Sequence, residues 1–107
     1  MPRWAAKVDN THKAVVEALR AYGWRVKDCS RVGGDFPDLV IAKAGRTILV
    51  EVKSGRGKLS DGQHQFLMDW PGETWVVWNL NDVVALNQSG QGRDSASGAP
   101  TVPSTTP

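Results

Sequence analysis

Pro37-Asp38 and, thirteen positions after the aspartate, Glu51-Val52-Lys53 are the residues of this chain best suited to chemistry. Both groups border short apolar runs, Leu39-Val40-Ile41-Ala42 and Thr47 to Lys53. Side chains alternate along a strand, so Glu51 and Lys53 project to one side with Leu49, while Val50 and Val52 project to the other. A turn at Gly45-Arg46 would pair the runs antiparallel and bring the Asp38 carboxylate toward the end that carries Glu51. Two carboxylates and an ammonium at the mouth of a small sheet can hold a hard divalent cation and a water. That is the equipment of a phosphodiester hydrolase.

The surrounding sequence predicts the elements that must position these groups. From about Trp4 to Tyr22, apolar residues recur at Val8, Val15, Leu19 and Tyr22, flanked by Val16 and Ala18, the stripe of an amphipathic helix that Gly23 ends. Trp24 to Lys27 reads as a first strand, followed by a loop with Gly33-Gly34, then the strands Leu39 to Ala42 and Thr47 to Lys53. Ser60 is placed to cap a helix running to about Trp70, broken by Pro71-Gly72. Trp75-Val76-Val77-Trp78 reads as a fourth strand, and Asn79 or Asn81 caps a short last helix through Val83, Val84 and Leu86. The expected fold is a small α/β domain over residues 1–87, order α-β-β-β-α-β-α, with a mixed four-stranded sheet flanked by helices. From residue 88 to 107 the chain turns to Ser, Gly, Thr and Pro, a composition that cannot offset its ordering entropy, and a disordered tail is expected there.

At 107 residues the chain has room for one domain with one modest core. Its net charge of +2 is only mildly basic, so any affinity for nucleic acid must come from the distribution of Lys and Arg. Cys29 is the sole cysteine; with two histidines this excludes an internal disulfide and leaves no zinc-ligand cluster. No apolar run approaches the length of a membrane span, and the N-terminus has no apolar stretch of the signal-peptide kind, so a cytoplasmic protein without membrane contact is expected.

Taken alone, Glu-x-Lys on a strand is usually a solvated ion pair, and Pro-Asp is usually a turn. Their conjunction carries the weight: Asp38 opens one strand, Glu51 lies near the end of the next, and mostly apolar residues lie between. Leu49 shares a face with Glu51 and Lys53, so the charges emerge at the edge of the core, where they are costly unless paired or bound to metal.

Gly34-Asp35-Phe36-Pro37-Asp38-Leu39-Val40 followed by Leu49-Val50-Glu51-Val52-Lys53 resembles the PD-(D/E)xK nuclease core, and more narrowly the VRR-NUC group of virus-type and replication-repair nucleases. Lys58-Leu59-Ser60-Asp61-Gly62-Gln63 is similar to the Leu-Ser-x-x-Gln segment that opens the next helix in that group. The stretch from Lys7-Val8-Asp9 through Ala18 to Gly23 looks like its first helix. The resemblance, which extends over nearly all of residues 7–87, implies a metal-dependent endonuclease cutting DNA, with branched or junction DNA as the preferred form and a homodimer as the working unit. It implies that Asp38, Glu51 and the backbone carbonyl of Val52 ligate Mg²⁺ or Mn²⁺, and that Lys53 orients or activates the attacking water. Oxygen ligands suit such a cation, and an ammonium beside the reacting phosphate stabilises its developing charge.

Gln63 has two readings of similar weight, one in the site and one as the far half of a capping box with Ser60. Relatives carry an acidic residue and then a Gln on the first helix; Asp9 matches the first, as a further metal or water ligand, whereas His12 stands where the amide would be. His12 reads first as a packed rim histidine that is within reach of a phosphate. Gly55-Arg56-Gly57-Lys58 lacks the residues of a nucleotide-phosphate loop, but Arg56 and Lys58 follow closely on Lys53 and suit contacts to a DNA backbone. Trp24, Trp75 and Trp78 read as core or subunit interface. Two other readings fit the residues: a non-catalytic DNA-binding module with a nuclease-like fold, suggested by the altered His12 position, and a structural protein whose strand end carries only an ion pair.

Overall fold

The structure, a computed structural model, describes the backbone of residues 3–96 and the side chains of residues 11–89. Its elements follow the order α1 (Arg3–Ala21), β1 (Arg25–Asp28), β2 (Leu39–Lys43), β3 (Arg46–Val52), α2 (Asp61–Asp69), β4 (Glu73–Val77) and α3 (Leu80–Ala96). The sheet order is β1-β2-β3-β4, with β1, β2 and β3 antiparallel in succession and β4 parallel to β3. The expected order and the mixed sheet are both present.

The sheet has two unlike faces. In register, Val26, Ile41 and Ile48 form one row and Asp28, Leu39 and Val50 the next on the same face. Together with Val77 these apolar residues meet Val15 and Leu19 of α1 and Val83 and Leu86 of α3, all buried in one core. Each such side chain contributes about 1.5–3 kcal/mol by leaving water. The opposite face carries Arg25, Lys27, Val40, Leu49, Glu51 and Val76. Helix α2 approaches it through Gln63, which bonds Glu51 and Lys53, and α2 buries none of its own residues.

Helix α1 ends as Gly23 predicts: Gly23 takes φ +97°, its N–H donates to Arg20 O, and Trp24 N–H donates to Leu19 O. This double closure satisfies the last carbonyls and turns the chain directly into β1. Tyr22 differs from the expected stripe. It is exposed, because the closure swings it past the end of the helix. Val8 lies among residues whose side chains are outside the described set.

The β2–β3 turn also differs, by one residue. Lys43 pairs with Arg46, and Ala44 and Gly45 form the two-residue turn, both with positive φ. Such turns match the twist of the strands they join. Arg46 therefore belongs to β3, where its guanidinium bonds Glu73 and Ser89.

That last contact bears on the C-terminal expectation. Asn79 caps α3, its side chain accepting from Asp82 N–H, and the helix continues past Asn87 to Ala96. Residues 88–96 are thus helical rather than part of a tail, with Ser89 held by Arg46 and donating to Leu86 O. Residues 97–107 lie outside the described set. Among the described residues no helix is long and apolar enough to cross a membrane.

Candidate active site

The end of β3 and the start of β2 form the site. Extending the β2–β3 register by one residue puts Asp38 opposite Glu51, and by two puts Pro37 opposite Val52. Lys53 N–H donates to Val77 O on the β4 side, so the N–H and carbonyl of Val52 turn toward β2. The N–H donates to Asp38 Oδ2 at 2.9 Å. The carbonyl faces buried Pro37, which has no N–H to offer it. At that position β2 therefore offers no ladder N–H to the Val52 oxygen, which lies next to the Asp38 carboxylate.

Glu51 is 3% exposed and is the one buried charged residue among the described residues. Burial raises its carboxyl pKa, and the neighbouring Asp38 carboxylate raises it further, against the opposing pull of Lys53. Gln63 Nε2 donates to Glu51 Oε2 at 3.0 Å, and Lys53 Nζ lies 3.5 Å from the same oxygen. Lys53 Nζ donates in turn to Gln63 Oε1 at 3.1 Å. The amide of Gln63 therefore bridges the carboxylate and the ammonium.

The two readings of Gln63 are both present at once. Ser60 Oγ accepts from Gln63 N–H at 3.0 Å while Gln63 Oε1 accepts from Ser60 N–H at 2.9 Å, a complete capping box. Helix α2 is further steadied by Phe36, whose ring meets Phe66 edge-on at 5.6 Å, with Trp70 stacked beyond it. Asp35 sits against Gly62, where any side chain would collide with its carboxylate. The loop before β2 thus holds the helix that carries Gln63, a link with no sequence signal beyond the adjacency of Asp35 and Phe36 to Pro37-Asp38.

Arg56 and Lys58 are exposed on the loop between β3 and α2, outside the bonded cluster. His12 is engaged elsewhere: its Nε2 lies 2.9 Å from Asp28 Oδ2, on the α1 face of the sheet. Asp28 also accepts from the hydroxyl and N–H of Ser30, and these bonds, with His12, hold its carboxyl well below the usual range. The pair borders the site, since Cys29 N–H donates to Asp38 O at 2.6 Å. Nothing in the sequence marked Asp28 as its partner. The side chain of Asp9 lies outside the described set.

The donors fit a hard divalent cation. They are all oxygen: two carboxylates on opposed strand positions and one backbone carbonyl. Among the described residues no three His, Cys, Asp or Glu side chains gather, so a bound cation would need the Val52 carbonyl as its third protein oxygen.

The family model described as VRR-NUC domain matches residues 2–71, from α1 to the end of α2. The chain belongs to the VRR-NUC family. A nuclease-type, DNA-related function follows from that membership, and nucleases of this family generally depend on a divalent metal. The matched span contains Asp38, Glu51, Lys53 and Gln63 and stops before β4 and α3. A search of curated proteins found no match to the chain.

Proposed function

We propose that this VRR-NUC protein is a DNA endonuclease that uses Mg²⁺ or Mn²⁺ to hydrolyse phosphodiester bonds with water. The observation that carries the reading is the bonded cluster of Glu51, Lys53 and Gln63 beside Asp38, whose carboxylate accepts from Val52 N–H. Glu51, buried and raised further by the neighbouring Asp38 carboxylate, is short of positive charge, which a cation would supply. Asp38, Glu51 and the Val52 carbonyl hold the ion, with Asp9 as a further ligand. When bound, it acidifies a water and neutralises charge on the phosphate.

The chain's own groups do the rest. Lys53 directs its ammonium at the phosphate oxygens as their charge develops, and Gln63 keeps it from collapsing onto Glu51. Arg56 and Lys58 contact the DNA backbone on either side, and His12 borders the same end. Branched or junction DNA is the preferred substrate and a homodimer the active unit. Met68 of α2 and Trp70 at its C-cap, 69% and 40% exposed, offer apolar surface to a second copy.

Incubating the protein with plasmid, linear, flapped and four-way-junction DNA in Mg²⁺, Mn²⁺ or EDTA tests the reading. Cleavage with either ion, none in EDTA, and a loss of at least about 100-fold in Asp38→Asn and Lys53→Ala are expected. Variants as active as the parent would overturn the assignment. A monomer mass by light scattering at high concentration would remove the dimer.

A further inference from the structure

Three features lie outside the proposed catalytic cluster. Lys43 and Arg46 flank the Trp24 ring, but Lys43 is occupied by Tyr22 O and Asn87, and Arg46 by Glu73 and Ser89, so that cluster ties elements together. The apolar residues of α2 serve the dimer already proposed. The third feature is a row of cations on β1 that leads away from the site.

Val26 is buried in the core, so its neighbours Arg25 and Lys27 point to the opposite face, the one that carries Glu51. Both are exposed, and neither has an ion-pair partner among the described residues. Asp28, the nearest acid on the strand, turns to the α1 face and is occupied by His12 and Ser30. At the α1–β1 turn the row ends in a concave niche of about 490 Å³ lined by Arg20, Gly23, Trp24, Arg25 and Val26. Arg20 is fixed there by donating to Val26 O at 3.3 Å, so it sits over the strand edge. Trp24, 4% exposed, forms an inner wall, and Gly23 adds no side chain to fill the space. Two guanidiniums at a concave surface, with the Lys43 ammonium adjoining at Gly23, suit a phosphate, which accepts several N–H bonds at once.

We propose that Lys27, Arg25 and Arg20 form a track for the DNA backbone, ending in a niche that binds a phosphate remote from the one being cut. The track rests on the nuclease reading only for its substrate. Its spacing follows from β1: Cys29 binds Asp38 O, and Lys27 and Arg25 lie two and four positions back, roughly 7 and 13 Å at strand rise. Phosphates of one strand advance about 3.4 Å per step along the duplex axis. The row is longer than one such step, so a strand laid along β1 brings into the niche a phosphate other than the scissile one.

The test reads binding, without divalent metal, so it stands whether or not cleavage is seen. Fluorescence anisotropy of the full chain with labelled duplexes in EDTA over a range of salt compares the parent with Arg20→Ala/Arg25→Ala and the charge-keeping Arg20→Lys/Arg25→Lys. The alanine pair should bind about tenfold more weakly and lower the slope of log affinity against log salt by about 2, with most of both restored by lysine. Circular dichroism shows whether the alanine pair folds; if it does not, Arg25→Glu alone should give the same loss. Unchanged affinity and slope in a folded variant, no DNA binding by the parent, or an equal preference for polyglutamate would each overturn the track. Absence of cleavage alongside the expected binding would instead count against the nuclease reading.

Discussion

Glu51 is a residue whose chemistry and stability pull in opposite directions. Its carboxylate is buried beside Asp38, so the native state holds its proton more tightly than the unfolded chain does. Over the interval from the ordinary 4.5 up to the raised value, the folded form binds more protons, and stability falls as pH rises. Glu51→Gln removes the buried charge and keeps an acceptor for Gln63. It should stabilise the fold by about 0.5–2 kcal/mol at neutral pH, read as a higher melting temperature, flatten that fall with pH, and abolish cleavage. Mg²⁺ should raise the melting temperature of the parent and leave the variant unmoved. A variant less stable than the parent at pH 8 would mean that Glu51 is balanced by its partners without metal. The two carboxylates were legible in the sequence because strand alternation is a strict rule, and the apolar residues between them marked both strands. That β2 offers the Val52 carbonyl no ladder N–H was not legible: only the register shows that Pro37, which reads as half of a turn motif, stands opposite it.

At the scale of elements, α2 shows how a cap becomes part of a site. Ser60 is exposed and touches neither carboxylate, yet it accepts from the backbone of Gln63 and donates its own N–H to the amide that bridges Glu51 and Lys53. Because α2 buries no residue of its own, the box and the Phe36–Phe66 contact hold it in place rather than a core. Ser60→Ala should cost about 1 kcal/mol of stability and, through Gln63, lower cleavage by roughly tenfold. Ser60→Thr should recover most of both, since its hydroxyl can make the same bond. Thermal melts and single-turnover cleavage of one substrate check this, and full activity in Ser60→Ala would confine the box to helix stability. The capping box was visible in the sequence as Ser60-x-x-Gln63. The length of α3 was not, because polar composition argues for disorder whereas Arg46, distant in sequence, fastens Ser89 to the start of β3.

For the whole molecule, the boundary of the family match and the boundary of the folded unit do not coincide. Residues 2–71 include every proposed catalytic group, but β3 has a partner on its second edge only through β4. Val77, Val83 and Leu86, all beyond the match, are fully buried against Val15, Leu19 and Val50. Removing them takes away three side chains worth about 1.5–3 kcal/mol each. The same cut loses the bonds of Trp24 and Lys43 to Asn87 and of Arg46 to Glu73. Against a net stability of about 5–15 kcal/mol for a small domain, that loss is decisive. A chain ending at residue 71 should show no cooperative thermal transition despite carrying Asp38, Glu51, Lys53 and Gln63. A chain ending at 96 should melt like the full protein, and one ending at 87 should melt lower, since Ser89 no longer holds Arg46. Differential scanning calorimetry orders the three. Equal melting of the 87- and 96-residue chains would reduce residues 88–96 to a helical extension with no share in the fold, and a cooperative transition in the 71-residue chain would make β4 and α3 additions to a nuclease unit already complete.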